Sequence, residues 1–196
     1  MLLNNTRLTN MPVLSLHLGG RVGTLKQAII DPATLRIVAY EIITPSLQAQ
    51  TFLLTPDIRE LGNLGAIIDT TDEFVSDGDV IKLDEIRALN FSLIGISVRT
   101  EDGRKLGKVE GYIVDTSRFE IQQISVKQGI LKGLTDTGLL IHRSQIIEIN
   151  DTAIIVKSAA QKVAQPTTES VRGNFVNPFK ASPQSPQVES SSATSP

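Results

Sequence analysis

The chain is written twice. Slid against itself, Gly19-Gly20-Arg21-Val22-Gly23-Thr24-Leu25 falls on Gly103-Arg104-Lys105-Leu106-Gly107-Lys108-Val109, an offset of 84 residues that places Gly23 on Gly107. At the same offset Ile30-Asp31 meets Val114-Asp115, Leu35 meets Phe119, Ile37 meets Ile121, Tyr40 meets Ile124 and Ile42 meets Val126. Apolar residues meet apolar ones throughout. An internal repeat constrains a fold more than any single motif does, because each copy must be a structural unit of the same kind.

Further along, small insertions change the offset, yet Phe52-Leu53-Leu54 still resembles Leu139-Leu140-Ile141, and Ala66-Ile67-Ile68 resembles Ala153-Ile154-Ile155. Within each copy the reading is antiparallel β. Ile124 and Val126 alternate with Gln123, Ser125 and Lys127, the period of two of a half-buried strand. Asp31-Pro32-Ala33-Thr34 and Asp115-Thr116-Ser117-Arg118 carry turn chemistry between two such strands, since Asp can hydrogen-bond the backbone ahead of it. Gly19, Gly23, Gly103 and Gly107, with Asp31 and Asp115, are the expected structural turn residues. Glycine supplies the positive φ or the close backbone approach that a sheet corner requires. Residues 55–61 and 144–149 are too short for full helices and read as a helical turn or short strand ending each copy.

The predicted fold is therefore all-β, two tandem small antiparallel β-barrels over 8–70 and 91–158. A structured connector, 71–90, joins them, with Asp84 as the expected cap of a short helix that buries Ile86 and Leu89. Residues 159–196 read as a disordered tail, for its Ser, Pro and Gln cannot bury enough apolar area to offset ordering entropy.

Composition narrows the function. The formal net charge is −2, which argues against DNA as a partner, because duplex binding rests on phosphate neutralisation by Lys and Arg. There is no Cys, so disulfides, thiolate metal sites and thiol nucleophiles are excluded. No segment reaches the ~20 apolar residues of a membrane span, and the N-terminus lacks the order of a signal peptide. A cytoplasmic location is expected.

No residue pattern points to catalysis, a metal or a cofactor. His17 and His142 lack a second ligand at a spacing of two to four. His142 and Ser144 have no Gly-x-Ser-x-Gly elbow to expose a nucleophile. The carboxylates Asp69, Asp72, Glu73, Asp77 and Asp79 do not follow the order of a calcium loop and read as a solvated linker. Arg104, Lys105, Lys108, Lys127 and Lys132 make a basic cluster that reads as a charged rim, or as a contact for RNA or an acidic partner. Aromatic residues, which stack bases, are 4% of the chain. Within the tail, Phe175, Val176, Pro178 and Phe179 of segment 172–180 stand out as a short docking element, seated either on the chain's own barrels or on a partner protein.

One family likeness emerges from these residues. Leu93-Ile94-Gly95-Ile96-Ser97-Val98, then Glu101-Asp102-Gly103-Arg104-Lys105-Leu106-Gly107-Lys108-Val109, then Tyr112-Ile113-Val114-Asp115 follow an Ile-Gly, Asp-Gly, Leu-Gly-x-Val, Val-Asp pattern. In this the second copy resembles a PRC-barrel domain, the small β-barrel of the photosynthetic reaction-centre H subunit and of a ribosomal-RNA processing factor. The first copy keeps Gly19, Gly23 and Asp31. The resemblance implies assembly and docking rather than catalysis, so the expected function is a non-enzymatic module for an unidentified protein partner. The alternative is a ribosome-assembly or RNA-associated factor, which rests on fold analogy.

Overall fold

A computed structural model describes residues 1–45, 50–127, 138–150 and 152–158. The protein is mostly β. Strand β1 (Leu2–Asn4) and the single-turn helix α1 (Asn5–Leu8) open the chain. The first copy follows as β2 (Pro12–Ser15), β3 (Gly20–Asp31), β4 (Arg36–Ile43), β5 (Thr51–Leu54), β6 (Glu60–Leu61) and β7 (Ala66–Ile68). The connector contributes β8 (Phe74–Ser76) and α2 (Ile81–Ala88). The second copy is β9 (Ser97–Thr100), β10 (Lys105–Asp115), β11 (Glu120–Lys127), β12 (Leu139–His142), β13 (Ile146–Ile149) and β14 (Ala153–Val156).

The two copies pair their strands identically. In each, a long central hairpin, β3–β4 or β10–β11, carries a short strand on either side, and the outer one pairs in parallel: β2 with β7, and β9 with β14. The strand orders are β6-β7-β2-β3-β4-β5 and β13-β14-β9-β10-β11-β12, and all fourteen strands belong to one curled sheet. Among the described residues no ladder joins the two end strands of either copy, so each is an open half-barrel. The hairpins also break register at matching places, at Leu25/Gln27 and Val109/Gly111, and again at Ile29/Ile30 and Ile113/Val114. An extra residue at such a bulge bends the strand and tightens its twist, which is how a sheet this small curls over its core.

Pairing also corrects the repeat's later alignment. Leu53 faces Tyr40 and Ile141 faces Ile124, so the offset from β5 onward is 88, and Leu53 matches Ile141 rather than Leu140. Likewise Ala66 matches Ile154 rather than Ala153, because each lies beside the equivalent valine, Val13 or Val98. Seven residues separate β4 from β5 and eleven separate β11 from β12; those four extra residues carry the offset from 84 to 88.

Inward positions supply the core. Leu25, Ile37, Tyr40, Ile42 and Leu53 of the first copy and Val109, Ile121, Ile124, Val126 and Ile141 of the second are buried in one apolar cluster that runs through both. Both copies lie in one compact unit, Met1–Val163. They meet about a local twofold relation: Ile37 N–H donates to the Phe119 carbonyl at 2.8 Å and Ile121 N–H donates to the Leu35 carbonyl at 2.9 Å. Arg36 and Glu120 face each other between these bonds.

The flanking segments cross between copies. The N-terminal strand β1 pairs with β10 of the second copy, Leu3 opposite Val114. Asn5 then places its side-chain oxygen 3.0 Å from the Tyr112 backbone nitrogen, accepting its N–H just past the end of the β1 ladder, which stops at Asn4 opposite Ile113. The connector strand β8 pairs with the outer edge of β5. Helix α2 starts at Ile81 without a side-chain cap, and its buried residue is Leu83; Leu89 is exposed. The expectation that Asp84 caps this helix is thus corrected: Asp84 lies inside the first turn and pairs with Arg87 at 3.1 Å.

Candidate interaction surfaces

The predicted turn residues do two kinds of work. Gly19 and Gly103 sit at positive φ (63° and 85°) in the connections entering the long hairpins. Gly107 has φ +149°, and a Cβ there would lie 2.1 Å from the Lys127 carbonyl oxygen; at Gly23 the equivalent distance, to the Ile43 carbonyl oxygen, is 3.0 Å. These two glycines let the hairpin arms cross closely. Asp31 accepts from the Ala33 N–H at 2.9 Å and the Thr34 hydroxyl at 2.7 Å, and Asp115 from the Ser117 N–H at 3.1 Å and its hydroxyl at 2.9 Å. The Ser117 hydrogen bonds, aided by the N-terminal amine of Met1, hold the Asp115 carboxyl below its usual range.

The copies differ most at their outer faces. In the first, α2 lies over the sheet and β8 extends it beside β5, and there Ala39, Phe52 and Leu83 form a small second cluster with Val75 and Val80 packed on it. Arg87 fastens this cover. Its guanidinium lies 4.3 Å from the Phe52 ring centre, bonds Gln50 at 3.1 Å and pairs with Asp77 and Asp84. A cleft of about 330 Å³ remains beside α2, lined in part by Val38, Leu54, Val80 and Leu83. In the second copy the matching positions are Gln122 for Val38, Gln123 for Ala39, Leu140 for Phe52 and His142 for Leu54. Phe52 is 1% exposed and Leu140 is 38% exposed. Among the described residues β12 pairs with β11 alone.

A second difference lies at the connections between β2 and β3 and between β9 and β10. The first copy presents Leu16 and Leu18, 54% and 61% exposed. At the matching turn the second copy has Glu101, Asp102 and Gly103. Asp102 bonds the buried Thr100 hydroxyl, which holds its carboxyl below the usual range.

The remaining candidates have local structural roles. His142 caps the 3-10 turn Arg143–Gln145, its Nδ1 accepting the Ser144 N–H at 3.2 Å with the Ser144 hydroxyl 2.8 Å away, while Gln145 accepts the His142 N–H. His17 lies exposed in the β2–β3 connection, its N–H donating to the Asp69 carbonyl. The linker carboxylates are dispersed: Asp69 pairs with Arg59 at 2.7 Å, Asp77 with Arg87, and Asp79 accepts the Ser76 N–H. Among the described residues no three such groups could hold a metal ion. The basic residues do converge. Lys108 stands opposite Lys127 and Lys105 opposite Arg99, a cation the sequence reading omitted. Lys132 and the segment with Phe175, Val176, Pro178 and Phe179 lie outside the described residues. Among the described residues no helix is long and apolar enough to cross a membrane.

No family model matches the chain, and no curated protein matches it.

Proposed function

We propose that this chain is a non-enzymatic protein-interaction or assembly module, built from two PRC-barrel-like copies and working in the cytoplasm. The observation that carries this reading is the apolar β2–β3 connection. Leu16 and Leu18 project from a turn whose twin in the second copy carries Glu101 and Asp102, so one repeat displays apolar side chains where solvent alone calls for charge. Paired apolar residues on a rigid turn are suited to anchor a partner at the centre of an interface, where desolvated side chains carry most of the binding energy. In the same reading Phe175, Val176, Pro178 and Phe179 form a second docking element. Affinity capture from the source cells tests both: Leu16→Asp with Leu18→Asp should lose the proteins that the intact chain retains, and removal of residues 159–196 should lose those held by the tail. Unchanged capture by both variants contradicts the reading.

The paired cations support a second reading, association with RNA or a ribosomal particle. Like charges directly opposite each other on a sheet are destabilising, and an anionic partner would relieve that cost at Lys105 and Arg99. Counterion release makes such binding strongly salt-dependent. Co-sedimentation with ribosomal particles at low salt, lost at high salt and in Lys105→Glu with Lys108→Glu, is the expected result; no association at low salt contradicts it.

A further inference from the structure

The repeat supplies its own comparison for the outer edge of each sheet. β5 and β12 occupy the same position, yet among the described residues β5 is paired on both sides and β12 on one. On β5 the second partner is β8, antiparallel, with Phe74 opposite Leu53, Val75 opposite Phe52 and Ser76 opposite Thr51. Phe74 packs on the main core and Val75 on the outer cluster. β12 offers the same backbone edge, and the same inward and outward apolar residues in Ile141 and Leu140. An unpaired edge is a template for an added strand, in which main-chain hydrogen bonds give affinity and alternate side chains give selectivity.

The outer face decides what kind of segment fits. Around Phe52 that face is apolar, with Val38, Ala39 and Leu54, and it holds α2. Around Leu140 the equivalents are Gln122, Gln123 and His142, which give a helix like α2 no apolar seat. What remains is a strand site without a helix site.

Resting on the interaction-module reading, we infer that the edge of β12 that no described strand occupies docks an extended peptide of a partner protein. The peptide adds antiparallel, with an aromatic residue opposite Ile141 and a β-branched residue opposite Leu140. It is the trans counterpart of Phe74 and Val75 on β5.

The probe is a fluorescent peptide with the chain's own 71–79 sequence, titrated into the full chain and read by anisotropy. Saturable binding is expected. Leu140→Lys should weaken it about tenfold or more and Leu140→Phe, which puts the side chain of Phe52 at the equivalent position, should tighten it. Leu140 is 38% exposed, so both variants should melt as the parent does. Absence of saturable binding, or equal binding by the Lys variant, overturns the inference. So does binding that appears only once residues 159–196 are removed, which would give the edge to the chain's own C-terminal segment, or self-association abolished by Leu140→Lys, which would give it to a second copy. If the peptide fails while partner capture still depends on Leu16 and Leu18, the interaction reading stands and this one falls.

Discussion

Leu35 and Phe119, 84 residues apart in sequence, adopt the same left-handed backbone conformation, φ 51° and 53°, and each offers its carbonyl to an N–H of the opposite copy. A bulky residue at positive φ costs roughly 1–2 kcal/mol, so its presence twice, at equivalent positions, marks where the fold requires that geometry. The turn delivers the chain into β4 or β11 and aims the carbonyl outward across the junction. Here the strands of the two copies become one sheet.

The glycine pair yields a graded prediction. Gly107→Ala combines positive φ with a Cβ driven into a backbone carbonyl and should cost about 3 kcal/mol or more, while Gly23→Ala, with room for small adjustment and no positive φ, should cost about 1 kcal/mol. Denaturant unfolding of the two variants measures the difference; equal costs would contradict the geometry.

Asn5 reaches across the copies to a single backbone N–H. Asn5→Ala leaves the Tyr112 donor without its acceptor and should cost about 1–2 kcal/mol. Faster amide exchange at Tyr112, with exchange in β4 unchanged, is the expected signature.

The cover on the first copy should come off without the fold. Leu83→Ala removes the one buried side chain of α2, a change of about 2–3 kcal/mol, and that loss falls on a small cluster rather than on the main core. Hydrogen exchange should rise across α2 and β8 while β3 and β10 stay protected. A matching loss of protection in β10 would mean that the cover and the sheet unfold together.

Alkali should expose the buried phenols. Burial pushes Tyr112 from 10.0 up to about 12, and burial, then the charge of Tyr112, raises Tyr40 further. The unfolded chain therefore gives up these protons first, so their contribution is fully present below pH 10 and is lost as pH rises toward 12 and beyond. Tyr112→Phe should reduce the fall in melting temperature between pH 10 and 12. Among the described residues the buried Tyr40 hydroxyl has no hydrogen-bond partner, so Tyr40→Phe should hold or raise stability at neutral pH, by about 1 kcal/mol at most. A large loss in that variant would show that the hydroxyl has a partner.

Local pattern made much of this sheet legible in the sequence. Alternation located β11, and the glycines and Asp-led turns located both long hairpins, because these features act over a few residues. The later alignment slipped by one residue for a physical reason: Leu139-Leu140-Ile141 is continuously apolar, so periodicity cannot say which residue faces in, and a one-residue slip exchanges the faces. Strands β1 and β8 are three residues long and owe their existence to distant partners, β10 and β5, which no local signal reveals. Leu35 and Phe119 read as ordinary strand residues because neither is a type that favours positive φ. The outer-face contrast between Phe52 and Leu140 was hidden by the same slip, which had set Phe52 against Leu139.

The central claim, that two copies of one fold join across Arg36 and Glu120, is open to a single measurement. Hydrogen bonds at Ile37 and Ile121 flank this pair, which makes it a non-hydrogen-bonded antiparallel pair with Cα atoms about 4.5 Å apart. A strong Hα–Hα nuclear Overhauser effect between Arg36 and Glu120 is predicted in the intact chain. Its absence, with the corresponding effects inside β3–β4 and β10–β11 intact, would contradict the junction.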